Sequence, residues 1–396
     1  MRLPAILVCI LIVLATSGIC AMTKKNTETT SGIPFAERVD RFWQWFGKNT
    51  SIMDKLLQDE KDGMIRLNVL MYEGTRIIGN DVCYNIGRNR ELSFSVEDQT
   101  EYFHLYPWLV ASMPDSLRAK WKVYPCKQPD PAIVETGIDI FGKEINIQTI
   151  MVSVDYDKDS NTFAISYYNP ALAELSDEEN RHAFTVILEL LIGEGAVYNY
   201  VNEIRQSDDT SGMIPIGRLA DTMKLLVENN GQTYATEPLL PLYFYEGKPD
   251  PDSKEVRSDI IVGSSRYLAL QEEYLNGIHE IHDSLAEKGV TAMMLILTQP
   301  EDISTDDFIE LRYRFEDYLT TLFDSSAIKG MLVGGAYGAS GLGYIDLLLF
   351  DADQFLEYIS NDGSIGAMLS PANDGVKPIQ LMFKTFAPDS DVYTLR

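Results

Sequence analysis

Two histidines, His279 and His282, stand three residues apart in the segment NGIHEIHDSL. On a helix this spacing puts both imidazoles on one face, where they could share a metal ion, with Asp283 or Glu280 adding an oxygen. It is not the i, i+4 spacing of a His-Glu-x-x-His site, and one helix supplies at most half a ligand set. Two helix histidines without a metal are the plainer reading. The segment DYDKDSN, residues 155–161, spaces Asp155, Asp157 and Asp159 as a calcium loop begins. Ser160 stands where such a loop turns on glycine, and Ser166 where it closes on a bidentate Glu. A polar turn between strands is the better reading, and calcium-dependent adhesion is the outside alternative. Cys83 and Cys126 could form one disulfide or remain two buried thiols, and neither has the local context of a nucleophile. His104 and His182 are scattered, and the serine-hydrolase elbow G-x-S-x-G does not occur. No metal and no cofactor is expected.

The stretch GGAYGASGLGYIDLLLF, residues 334–350, holds five glycines in its first ten positions. A phosphate-binding glycine loop joins a strand to a helix, whose N-terminus supplies amide donors. Here an apolar strand-like run follows and no Lys-Ser/Thr pair appears. The spacing Gly338, Gly341, Gly343 also differs from a dinucleotide fingerprint. The stretch is expected to be a β-hairpin whose glycines serve the turn.

Elements that could position these residues follow from periodicity. PFAERVDRFWQWF predicts an amphipathic helix with Phe35, Val39, Phe42, Trp43 and Phe46 on one face, and a second short helix runs through Met53 and Leu56. MIRLNVLMY, DVCYNIG, ELSFSVE, WKVY, ETGIDIF, NIQTIMVSVDY and FAISYY predict strands. PWLVASM predicts a short helix with Pro107 in its first turn. Ser176 and Glu179 form a capping box ahead of a helix bearing Ala183, Val186, Ile187, Leu190 and Leu191, followed by a strand from Tyr198 to Ile204. Residues 228–256 carry the prolines of an interdomain connection. Beyond it come a strand RSDIIVG, a helix over 267–286, and then TAMMLIL, DFIELRYRFEDYLTTLF, IKGMLVG, YIDLLLF, DQFLEYI and PIQLMFKTF. The expected class is α+β: a mixed domain over 34–227 with mainly antiparallel strands, then a ferredoxin-like β-α-β-β-α-β domain over 257–396.

The amino terminus, MRLPAILVCILIVLATSGICAM, has one positive residue, an apolar run from Ala5 to Ala15, then small residues. That is the plan of a secretory signal over 1–21, cleaved after Ser17, Gly18 or Ala21, with a polar tether over 22–33. The run is too short for a membrane span of about 20 residues. Cys20 raises lipoprotein processing, against which stands the bulky Ile19. The 396 residues carry a net charge of −26, which disfavours nucleic acid and anionic membrane faces.

FWQWF, ILELLIGEGAVYNYVNEI, RSDIIVGSSRYLALQEEYLNGIHEI and GMLVGGAYGASGLGYIDLLLFD together resemble an uncharacterised two-domain α+β protein family of gut Bacteroides-type bacteria. The resemblance spans most of residues 35–390. It implies a bacterial source and a two-region architecture, and brings no catalytic set with it. The expectation is therefore an exported, periplasmic or envelope-associated protein that binds another protein or an envelope component. Tyr337, placed on the hairpin tip, and Trp45 are the tentative contact residues, while Trp43 fits the core. The alternative is a hydrolase using Asp or Glu carboxylates at the domain interface.

Overall fold

The computed structural model describes residues 32–395, apart from 98, 251, 254, 326, 370–378 and 388. The expected signal segment, Cys20 and the expected tether up to residue 31 lie outside the described residues. The described chain divides into two compact units, one of Trp45–Arg76 and Asn80–Leu240, the other of residues 32–44, Ile77–Gly79 and Pro241 onward.

Helix α1 is a single helix, Phe35–Gln58, where two were expected. Its residues through Gln44 belong to the second unit and those from Trp45 to the first. Asn49 and Thr50 do not break it, because their side chains donate back to the Trp45 and Gly47 carbonyls. MIRLNVLMY is not a strand but lies in helix α2, Gly63–Thr75. Met64, Leu67 and Met71 are buried at helical spacing, while Ile65 and Val69 point outward at 65% and 59% exposure. Branched residues suggested a strand, but the period of the buried positions belongs to a helix. The elements that follow are β1 (Cys83–Gly87), β2 (Glu91–Ser95), α3 (Tyr102–Ala111), α4 (Asp115–Arg118) and β3 (Lys122–Tyr124). Pro107 sits inside α3 rather than at its first turn.

The rest of the first unit runs β4 (Gly137–Ile140), β5 (Lys143–Asn146), β6 (Met151–Asp157), β7 (Thr162–Tyr168), α5 (Asp177–Ile192), α6 (Glu194–Tyr200), β8 (Val201–Gln206), β9 (Ile214–Pro215) and α7 (Leu219–Asn229). Residues 198–200 are thus helical, and the strand begins at Val201. A 3-10 turn, Ile147–Thr149, splits the expected strand NIQTIMVSVDY. The capping box of Ser176 and Glu179 opens α5. Its buried face is Ala183, Phe184, Ile187, Leu188 and Leu191, and it packs over β6 and β7 through Val152, Phe163 and Ile165. Two pairs, β2–β3 and β7–β8, are parallel. In each, helices intervene between the strands and return the chain in the same direction.

The second unit holds a seven-stranded, wholly antiparallel sheet in the order β10-β11-β13-β14-β12-β15-β16. Its elements are β10 (Tyr243–Glu246), β11 (Ile260–Ser265), α8 (Leu268–Leu275), α9 (Glu280–Glu287), β12 (Thr291–Thr298), α10 (Thr305–Asp324), β13 (Gly330–Gly338), β14 (Leu342–Leu349), α11 (Ala352–Asn361), α12 (Gly363–Met368), β15 (Leu381–Thr385) and β16 (Tyr393–Thr394). The expected connecting segment 228–256 therefore contributes an edge strand, β10. The expected helix over 267–286 is two helices, separated at Gly277, whose φ of 68° no helix accommodates. Phe308, Leu311, Phe315 and Leu319 of α10 pack on Leu295, Leu297, Ile345 and Leu347 of β12 and β14. The alternate residues of these two strands, Met294, Ile296, Tyr344 and Asp346, are buried as well, so the centre of the sheet is covered on both faces.

The glycine-rich stretch is the β13–β14 hairpin, with Tyr337 paired to Gly343. Of its five glycines only Gly341 has positive φ, at 73°. Others serve close packing. A Cβ on Gly335 would lie 2.6 Å from Glu316 Oε1 and 2.8 Å from Arg312 Nη1, and one on Gly338 would collide with the Asp259 carboxylate.

Candidate functional site

The apolar run YIDLLLF carries a lone carboxylate into the middle of the covered sheet. Asp346 and its partner Arg257 each have a side chain that is 0% exposed, with Arg257 Nη1 2.5 Å from Asp346 Oδ1. Gln271 Nε2 donates to the other carboxylate oxygen at 3.1 Å. Arg257 Nη2 donates to the Tyr245 hydroxyl at 2.8 Å, and the guanidinium lies over the rings of Tyr344 and Phe386. The Tyr344 hydroxyl donates to Asp259 at 2.6 Å and accepts from the Arg257 amide. Asp259 also accepts from the amide and hydroxyl of Ser340 in the hairpin turn. Arg257 holds φ at 73°, a conformation costing roughly 1–2 kcal/mol for a residue with a Cβ. The ion pair and ring contacts hold it there. Burial pushes the Tyr245 hydroxyl above its ordinary range, so it stays a neutral phenol.

This network positions β10. Tyr245 lies across Gly263 of β11, with its hydroxyl on Arg257. Its neighbours on the same strand face outward, Tyr243 at 50% exposure and Phe244 at 79%. Among the described residues β10 is the terminal strand of the sheet and pairs only with β11. Cross-strand register places Glu246, Val262 and Tyr337 in one row, and Phe244, Ser264, Gly335 and Ile345 in the next. These rows share the sheet face on which α10 packs. Exposure rises along them toward the edge, from buried Ile345 through half-buried Tyr337 and Val262 at 46% to Phe244. The result is an apolar ledge on a sheet edge, a geometry suited to receiving another polypeptide.

Tyr337 belongs to this ledge, but as a strand residue near the end of β13 rather than at the hairpin tip. Its hydroxyl donates to Gln299 at 3.0 Å, and its ring meets Phe308 edge-on. Trp45 is half-buried, its indole packed against the α2 backbone at Gly74, away from the ledge residues in sequence and unit. Trp43 is in the core at 3% exposure. Neither Cys83 nor Cys126 is in a disulfide. Cys126 donates to the Thr236 carbonyl, and burial pushes its thiol up to about 12, which keeps it from being a thiolate nucleophile. His279 stands at the N-cap position of α9, just before the helix that holds His282, without a side-chain capping bond, and both histidines face Asp283. Asp155, Asp157 and Asp159 fall on the β6–β7 hairpin, where Asp157 accepts from the Asp159 amide and the Ser160 hydroxyl. His104 is buried in α3, and burial pushes it down to about 4. His182 is exposed beside Phe141.

A second charged cluster occupies the first unit. Lys127 Nζ lies 2.9 Å from both Glu97 Oε1 and Glu189 Oε2, at 8% exposure. Glu194, the first residue of α6, accepts from the amides of Val96, Glu97 and Lys127 and from Ser95. Burial pushes Glu189 up to about 7, against the pull of Lys127. A surface pocket of about 430 Å³ opens beside the cluster, lined by Asn85, Asn89, Ser93, Lys127, Gln128 and Leu190 among others.

The Arg257–Asp346 pair had one sequence signal, a lone acidic residue inside an apolar strand, which must find a buried cation. The ledge had none beyond the aromatic run LYFY. Among the described residues no helix is long and apolar enough to cross a membrane, and no group of three or more His, Cys, Asp or Glu side chains could hold a metal ion. Comparison of the chain with protein-family models, curated proteins and solved structures finds no match.

Proposed function

We propose that this is an exported bacterial protein of the cell envelope that works by binding another protein through the β10 ledge. The observation that carries the reading is Phe244, a large apolar side chain 79% exposed on a terminal strand that a buried ion pair holds in place. An aromatic residue so displayed loses solvent-exposed apolar surface only when a partner covers it. Export, with lipidation at Cys20 as its variant form, rests on the amino-terminal sequence. The bacterial source rests on the family resemblance. We also propose that β12, α10, β13, β14, α11 and β15 form a ferredoxin-like unit; their connectivity and the spatial order β13-β14-β12-β15 support it.

The test is a native mass spectrum of the chain isolated from its own cells, wild type beside Phe244→Glu. A bound polypeptide mass on the wild type that the variant loses is the expected result. A bare wild-type chain, or a mass retained by the variant, would overturn the reading. A second reading, a hydrolase acting through carboxylates, is supported by the Glu97–Lys127–Glu189 cluster beside its pocket, within the first unit. Its check is hydrolysis of a chromogenic glycoside panel that Glu189→Gln abolishes.

A further inference from the structure

Building on the binding role proposed for this edge, we infer that β10 receives an extended segment of another protein as an added strand, apolar at alternate positions and flanked by lysine or arginine. The backbone geometry comes first. Gly247 N–H donates to the Ile261 carbonyl. By the alternation of an antiparallel ladder, Tyr245 and Tyr243 then turn their amides toward β11, and Phe244 and Glu246 turn theirs toward the open edge. A strand laid along that edge meets backbone donors and acceptors, and its side chains on the α10 face meet Phe244. Pro241 and Pro249 bracket β10 and cannot donate, so the added strand pairs over about four to five residues.

Charge selects the occupant. Between positions 246 and 255 the sequence carries Glu246, Asp250, Asp252 and Glu255 with two lysines, Lys248 and Lys254, within a chain of net charge −26. A second copy would bring two such surfaces together and is repelled, whereas basic flanks are attracted. The exposed rings of Tyr243 and Phe244 add faces on which a guanidinium or ammonium can rest.

The experiment pans the full-length chain against a displayed library of random peptides about ten residues long, then measures the enriched peptides by fluorescence anisotropy. Expected are sequences with alternating apolar residues and basic flanks, at least about tenfold weakened by N-methylation of alternate amides or by Phe244→Glu, and weakened by salt. Tyr243→Lys, a second variant, should weaken them too, with circular dichroism confirming both folds. Enriched peptides that are acidic, that tolerate N-methylation or that ignore both variants would overturn the inference, as would no enrichment. So would a dimer in sedimentation that Phe244→Glu dissociates. If the partner from native cells still depends on Phe244 while no strand-forming peptide binds, strand addition fails and the binding surface stands. If neither depends on Phe244, both fail.

Discussion

Two buried cations, Arg257 of the second unit and Lys127 of the first, are balanced differently. In the second unit one guanidinium meets one carboxylate, both fully buried, and the remaining polar contacts are neutral side chains. In the first unit one ammonium serves Glu97 and Glu189, with Glu194 close enough to act on its charge. The paired charges of Arg257 and Asp346 leave no net charge in their buried site. An unbalanced cluster keeps an excess carboxylate that desolvation drives toward protonation. The first arrangement works as a fixed tie between β10, the start of β11 and β14. The second makes the stability of the first unit sensitive to pH near neutrality.

The sharpest way to break the comparison is Asp346→Ala, which strands a buried guanidinium. It should cost about 3–5 kcal/mol in urea unfolding, and Arg257→Met with Asp346→Leu should cost less than either single change. Lys127→Met should cost on the order of 2–3 kcal/mol at pH 8, less because Glu97 is partly solvated, and clearly less at pH 5. Equal losses at the two pH values would contradict the unbalanced reading. Tyr245→Phe removes one hydrogen bond from the guanidinium and should cost about 1.5 kcal/mol. It should also speed amide exchange across β10 while leaving β12 unchanged.

The smallest effect concerns protons. Glu189 is pushed from an ordinary 4.5 to about 7, so the folded state holds the extra proton between those values. Its contribution is fully present below pH 4.5 and lost as pH rises through 7. Burial raises Glu97 too, but Lys127 outweighs it and leaves Glu97 below the ordinary range. Its contribution is present above 4.5 and fades only on acidification below that. Glu189→Gln should therefore flatten the decline between pH 4.5 and 7 and gain on the order of 1 kcal/mol at pH 8. An unchanged pH profile of the melting temperature would refute the assignment.

Much of the architecture was legible where a segment's own pattern agrees with its final environment. The capping box opening α5, the amphipathic stripe of α10 and the apolar runs of β12 and β14 are such cases. The misses share a cause. MIRLNVLMY has strand-like composition, but only Met64, Leu67 and Met71 find a core, and their spacing makes a helix. The turn glycines proved to be mostly packing glycines, because the side chains that need their space, Arg312, Glu316 and Asp259, come from elsewhere in the chain. Of the two tentative contact residues, Tyr337 joins the ledge and Trp45 packs on α2. An exposed aromatic cannot be told from a buried one until the neighbouring strand is known.

Acidity, the signal-like amino terminus and most helices and strands are properties of short stretches, governed by charge count and hydrophobic period, and so they are present in the residue order itself. The partner of Asp346 lies 89 positions back along the chain at Arg257, and Phe244 owes its exposure to being on a terminal strand beyond the reach of α10's packing. Neither fact is carried by any local pattern. Both arise because folding brings distant segments within van der Waals and hydrogen-bonding range, where burial and pairing energies are set by neighbours rather than by sequence adjacency.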